Sequence, residues 1–122
     1  MAMSVTVTEK ILGSVKKVTF AWVSAADGTA TGATTGVEYD GKIIGLTTIP
    51  GAAALAPDDN YDITITDADG HDVLLGAGAN RDTANTESVA EASLGAVASS
   101  KLTINVSGAG DSNAGTAIVY LR

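Results

Sequence analysis

The sequence predicts an all-β fold, a single-domain antiparallel β-sandwich or jelly-roll-like barrel of about eight short strands. Two observations predict it: apolar and polar residues alternate with period two in run after run, and Gly-, Asp- and Pro-bearing turn signals separate the runs. The 122 residues suit one domain spanning residues 1–122, with residues 1–10 readable as an extended N-terminal arm.

The elements follow in order. Residues 4–8 set Val5 and Val7 against Thr6 and Thr8. Residues 15–24 form the longest strand, with Val18, Phe20 and Trp22 on one side and Thr19, Ala21 and Val23 on the other. Asp27-Gly28 ends it, because Asp-Gly supplies the positive φ of a tight reversal. Residues 36–39 and 42–49 read as a hairpin reversed at Asp40-Gly41, and Pro50-Gly51 stops the second strand. Residues 51–60 hold a second Pro and no alternation, so they read as a loop. Residues 61–67 resume the pattern with Tyr61, Ile63 and Ile65 on one face, and Asp69-Gly70 turns the chain toward a strand at residues 71–75.

Residues 76–100 admit two readings. The spacing of Ser88 and Glu91 fits a capping box and a short helix over residues 88–98. Gly95 and the Ser/Thr content favour instead a short strand near residues 86–90 followed by a loop. Residues 101–107 place Leu102, Ile104 and Val106 on one side. They are expected to pair with residues 115–121 across the turn at residues 108–113 and so close the fold.

Hydrophobic residues make up 45% of the chain, but Ala supplies much of that share, so the interior is expected to be Ala-rich and thin. At about 25 cal/mol per Å² of buried apolar area, such an interior stabilises each ordered residue only modestly. Burial against another subunit or a larger surface would add to it. Cysteine is absent, which removes disulfides and thiolate metal sites. No signal peptide and no bilayer-spanning run are expected, and the chain is expected to be soluble. A formal charge of -7, with the basic residues scattered, argues against nucleic acid and anionic membranes as partners.

His71, the single histidine, lies among Asp67, Asp69 and Asp72, where carboxylates can orient an imidazole or share a metal with it. No Gly-x-Ser-x-Gly elbow accompanies it, so it reads as a solvated turn residue; no catalytic residue is assigned and no enzyme is expected. Asp58, Asp59, Asp62, Asp67, Asp69 and Asp72 invite a calcium test. The spacing fails it, because Gly follows the second Asp and the twelfth position from Asp67 is Gly78. Asp-Gly turns account for them, and neither metal nor cofactor is expected.

Gly76-Ala77-Gly78-Ala79-Asn80-Arg81 opens like a dinucleotide fingerprint but lacks the third glycine. It reads as a turn or as a contact loop whose small residues let another backbone approach, with Arg81 pairing either a partner carboxylate or a nearby Asp. Phe20 and Trp22 share a strand face and form either a sugar-stacking platform or the core; the shortage of other large side chains favours the core. The chain ends are natural extensions. The N-terminal arm, through Val5 and Val7, can add to a neighbour's sheet, and the last strand, ending at Arg122, can offer a free edge.

The run Asn60-Tyr61-Asp62-Ile63-Thr64-Ile65-Thr66-Asp67-Ala68-Asp69-Gly70-His71-Asp72-Val73-Leu74, with Gly76-Ala77-Gly78-Ala79-Asn80-Arg81 after it, resembles small structural proteins encoded by tailed bacteriophages and prophages. Lys101-Leu102-Thr103-Ile104-Asn105-Val106-Ser107, Gly108-Ala109-Gly110 and Gly115-Thr116-Ala117-Ile118-Val119-Tyr120-Leu121 are similar to their closing strands. Gly13-Ser14-Val15-Lys16-Lys17-Val18-Thr19-Phe20 and Ile49-Pro50-Gly51 extend the likeness over nearly the whole chain. The resemblance implies a capsid decoration, or cement, protein. Such a protein is made in the host cytoplasm, sits as a dimer or trimer on the outer surface of the virion head, and bridges major capsid subunits without any catalytic motif. A neck, tail or fibre component would share the strand pattern, and a carbohydrate-binding or adhesin-like module would show an exposed aromatic platform.

Overall fold

The computed structural model describes residues 3–122; Met1 and Ala2 of the expected arm lie outside the described residues. Nine strands form: β1 Ser4–Leu12, β2 Val15–Val23, β3 Ala30–Thr34, β4 Tyr39–Pro50, β5 Asp62–Thr66, β6 Glu87–Ala90, β7 Ala96–Ser100, β8 Thr103–Ser107 and β9 Ala114–Leu121. The larger sheet runs β1-β2-β9-β4-β6, with β7 also on β4, and the smaller runs β3-β8-β5. Every pairing is antiparallel. The result is the expected all-β sandwich.

Period-two alternation fills the space between the sheets. Val18, Phe20 and Trp22 of β2, Leu46 of β4, and Ala117, Val119 and Leu121 of β9 face Ile63 and Ile65 of β5 and Ile104 and Val106 of β8, all in one buried cluster. Trp22 leans on Tyr61, their ring centroids 5.5 Å apart at 54°. Opposite Trp22 in the register stands Gly115, where an ideal Cβ would lie 2.4 Å from Trp22 Cζ2. The indole therefore occupies the volume a side chain would need. The interior is not Ala-rich as expected: of the alanines only Ala30, Ala109 and Ala117 join the cluster, and its largest members are Trp22, Tyr39, Tyr61 and Phe20. The alanines are spread mostly over exposed turns and strand faces.

Several elements differ from the sequence expectation. β1 is no free arm: it pairs with β2 from Ser4↔Val23 to Leu12↔Val15, because the chain folds straight back at Gly13, whose φ is +59°. Asp40-Gly41 does not reverse the chain, and β4 runs through it. Gly41, at φ +128°, makes a bulge where an ideal Cβ would meet the Arg122 carbonyl at 2.5 Å, and β4 there passes from pairing with β7 to pairing with β9. The Gly/Thr-rich stretch before it contains β3, bulged at Gly32 between Thr31 and Ala33; β-branched threonines favour the extended backbone.

Residues 71–75 are not a strand. The Asp72 carboxylate takes the amides of Ile65, Leu74 and Gly76, so the chain coils into turns against β5. The short strand near residues 86–90 is present as β6, and no helix forms over residues 88–98. A loop was expected after it, yet β7 continues the same edge of β4 beyond a 3₁₀ turn at Glu91–Ser93. Lys42 Nζ ties down that turn, donating to Glu91 O at 2.9 Å and also to Leu94 O. Finally, β8 and β9 do not pair with each other. They lie in different sheets, and β9 is inserted between β2 and β4, with no free edge.

Among the described residues, Trp22 Nε1 and Tyr61 Oη are buried with no hydrogen-bond partner. Burial pushes the Tyr61 hydroxyl up to about 12. Burial first, and then the Glu9 carboxylate that accepts its hydrogen bond at 2.7 Å, push Tyr39 up as well.

Gly115→Ala is expected to cost about 1–3 kcal/mol in guanidinium unfolding, since the new methyl overlaps the Trp22 ring. Tyr61→Phe removes an unpaired buried hydroxyl and is expected to be neutral or stabilising near neutral pH. In the wild type the folded state keeps the Tyr61 proton longer than the unfolded state does. This stabilisation is complete below pH about 10 and is lost as pH rises toward about 12. Urea unfolding across that window should therefore fall less steeply for Tyr61→Phe than for wild type.

Candidate functional site

The chemistry-bearing residues singled out in the sequence serve the turns. His71 is exposed, and its backbone amide donates to Asp67 Oδ1 at 3.0 Å, as does that of Asp69. Asp62 Oδ1 accepts from the Asn80 amide at 2.9 Å and Asp59 Oδ1 from that of Thr83 at 3.2 Å. Asp72 uses both carboxylate oxygens on backbone amides. These are Asx-type contacts in which a carboxylate replaces a backbone acceptor. Among the described residues no three His, Cys, Asp or Glu side chains come together as a metal site requires.

The same economy holds elsewhere. The Asp27 carboxyl is held below the ordinary carboxylate range by the Thr29 hydroxyl and amide. That of Asp82 is lowered by the Ala84 amide and then by Asn85.

The loop at residues 76–81 permits the close backbone approach its small residues suggest, but the backbone it meets is the chain's own. Ile63 N donates to Gly78 O at 2.8 Å, and a Cβ on Gly78 would run into the Ile63 carbonyl. The loop thereby covers the free edge of β5. Arg81 is half-buried and reaches Glu87 rather than an Asp, Nη1 to Oε1 at 3.7 Å, while its Nε donates to Ala79 O.

Phe20 and Trp22 are 0% and 1% exposed, so they form the core and no sugar platform. Val5 and Val7 are half-buried against the core beneath β1. Arg122 is exposed at its side chain, and its main chain exchanges two 3.0 Å hydrogen bonds with Lys42.

What the fold leaves for recognition is the pair of outer sheet faces. On the larger sheet the register aligns Thr8, Thr19, Ile118, Thr47 and Ser88 in one row across five strands, and Thr6, Ala21, Thr116 and Ile49 in the next. On the smaller sheet the rows are Thr34, Thr103, Thr66 and Thr31, Asn105, Thr64, with Thr34 and Thr103 hydroxyls 2.8 Å apart. None of these rows carries a charge, in a chain with fourteen acidic residues. Alternation alone identifies which residues face outward. It does not reveal which strands lie side by side, so the rows themselves could not be read from the sequence.

A groove of about 330 Å³ indents the larger face at one end, lined by Ser4, Thr6, Ala21, Val23, Ile49 and Thr116 among others. No helix of the described residues is long and apolar enough to cross a membrane. No protein-family model, curated protein or solved structure matches the chain.

Because Asp72 holds three backbone amides, Asp72→Ala is expected to destabilise the protein by about 2–3 kcal/mol in guanidinium unfolding. Added calcium is expected to leave the wild-type transition unmoved.

Proposed function

We propose that the chain is a non-enzymatic virion structural protein, a capsid decoration protein. It lies on the outer surface of a tailed-phage head and bridges major capsid subunits. The observation that carries this reading is the pair of uncharged hydroxyl and methyl rows across the middle of each outer sheet face, flanked on the larger sheet by the row that holds Lys10 and Lys17. A slab with two such faces is suited to lie between other surfaces, because contact through those uncharged rows desolvates no ion. The Thr and Ser hydroxyls that stud the faces retain hydrogen bonds on contact, and their methyl and methylene groups add apolar area.

The resemblance of the strand-and-turn segments to phage structural proteins supports the same reading. Many copies on a shell each add a modest bridging energy, and their sum resists internal pressure through avidity. The smaller sheet, with its rows Thr34, Thr103, Thr66 and Thr31, Asn105, Thr64, is the face assigned to the shell.

The test uses expanded, undecorated heads assembled from the major capsid protein of the same genome. Purified protein is expected to co-sediment with them and to raise the temperature at which they disrupt. Asn105→Arg, which puts a charge in the middle of the smaller face, is expected to weaken binding at least about tenfold. Failure of the wild type to bind such heads while binding isolated tails would place the protein in the tail and overturn the reading.

A further inference from the structure

Several basic side chains are tied into the fold. Lys16 Nζ donates to Asp40 O at 2.8 Å, Lys42 Nζ holds the turn at Glu91–Ser93, and Arg81 reaches Glu87. Lys10 and Lys17 are different. Both are exposed and they stand directly opposite each other across β1 and β2. Among the described residues neither ammonium has a carboxylate within 4 Å. Their row continues through half-exposed Tyr120 and through Gly45 to Ala90, and the Tyr120 ring lies against Gly45. The neighbouring row is Thr8, Thr19, Ile118, Thr47 and Ser88, so no Asp or Glu side chain stands in either row. Like charges placed opposite each other on a sheet repel and destabilise it. The pair therefore works against the fold that carries it.

We propose that the row Lys10, Lys17 and Tyr120 is a binding surface for a short acidic segment of another protein. Such a segment sets an Asp or Glu carboxylate between the two ammoniums and lies over the Tyr120 ring. Cross-strand neighbours are about 5 Å apart at Cβ, so one carboxylate can accept from both lysines, one through each oxygen, in charge-assisted hydrogen bonds. Tyr120 adds a stiff side chain with an apolar ring and a polar tip, the kind of residue enriched where proteins meet.

Charge selects a short segment over a long polyanion. Exposed charges are screened beyond about 8 Å at physiological salt, so a few carboxylates seated on this row act mainly on the two lysines. Nucleic acid or an anionic bilayer reaches well past that distance and meets the acidic turns of a chain whose formal charge is -7. The proposal does not rest on binding to a shell, since the shell is assigned to the opposite sheet.

NMR titration of the full chain with three probes tests it: a Thr-Glu-Tyr-Glu-Thr-Glu peptide, the same peptide with Gln for Glu, and an oligogalacturonate. The acidic peptide is expected to bind with amide shifts centred on Lys10, Lys17 and Tyr120, more weakly as salt is raised, and the Gln peptide at least about tenfold more weakly. Lys17→Glu is expected to weaken binding of the acidic peptide at least about tenfold. The same substitution is expected to raise the urea midpoint of unfolding, because the new carboxylate pairs with Lys10 across the strands. Lys101→Glu, at an exposed lysine outside this face, makes the same change in net charge and is expected to leave binding within about twofold of wild type. An acidic peptide that does not bind, equal weakening by Lys101→Glu, a Lys17→Glu variant less stable than wild type, or tighter binding of the oligogalacturonate than of the peptide would overturn the proposal.

Discussion

Insertion of β9 between β2 and β4 is the constraint on which the rest of the sandwich depends. Each of its inward residues, Ala117, Val119 and Leu121, contacts the core between strands that lie far from it in sequence. Until β9 is in place, β2 and β4 have no common neighbour and the larger sheet does not exist as a unit. The close packing of Trp22 over Gly115 fixes the register of that insertion, because a shift of one residue would bring the Ala114 or Thr116 side chain against the indole. A fold closed by such distant pairing is entropically costly to nucleate.

Charge placement is the second organising feature. Acidic side chains cluster in the connections, where they serve as acceptors for backbone amides left unpaired by tight turns: Asp27, Asp59, Asp62, Asp67, Asp72 and Asp82 all do so. A carboxylate in this role stabilises the turn through charge-assisted hydrogen bonds and leaves the strands to β-branched and small residues. The exposed lysines Lys10 and Lys17 lie side by side on the outer face of the larger sheet, in the row next to its uncharged middle. The uncharged middles of the faces, and not the carboxylate-rich loops, are therefore the surfaces suited to association.

The free edges are managed in different ways. The turns at residues 72–81 cover β5 by lending it carbonyl and amide partners. Glu9 spans from β1 to the β3–β4 connection, accepting from Gly36 N, Val37 N and the Tyr39 hydroxyl. Along the other side of β4, the β6–β7 edge is broken by its 3₁₀ turn, which shortens each exposed run of backbone. The covering turns on β5 and the broken β6–β7 edge oppose uncontrolled strand addition there.

By itself the sequence determined the fold class, the inward faces of β2, β5 and β8, and the burial of Phe20 and Trp22. Each of these rests on period-two alternation, which is local. It also marked the turns at Asp27-Gly28 and Asp69-Gly70, where residue type sets the backbone angle. It misassigned Asp40-Gly41, because a glycine at positive φ serves a bulge as well as a reversal, and which one forms depends on whether another strand lies alongside. Only the tertiary structure decided that β8 and β9 belong to different sheets, that residues 71–75 make a single bridge to β5 at Asp72 and then coil, and that Thr8, Thr19, Ile118, Thr47 and Ser88 form one uncharged row. Those are questions of which strand neighbours which, and they are settled by long-range packing that no short window of residues contains.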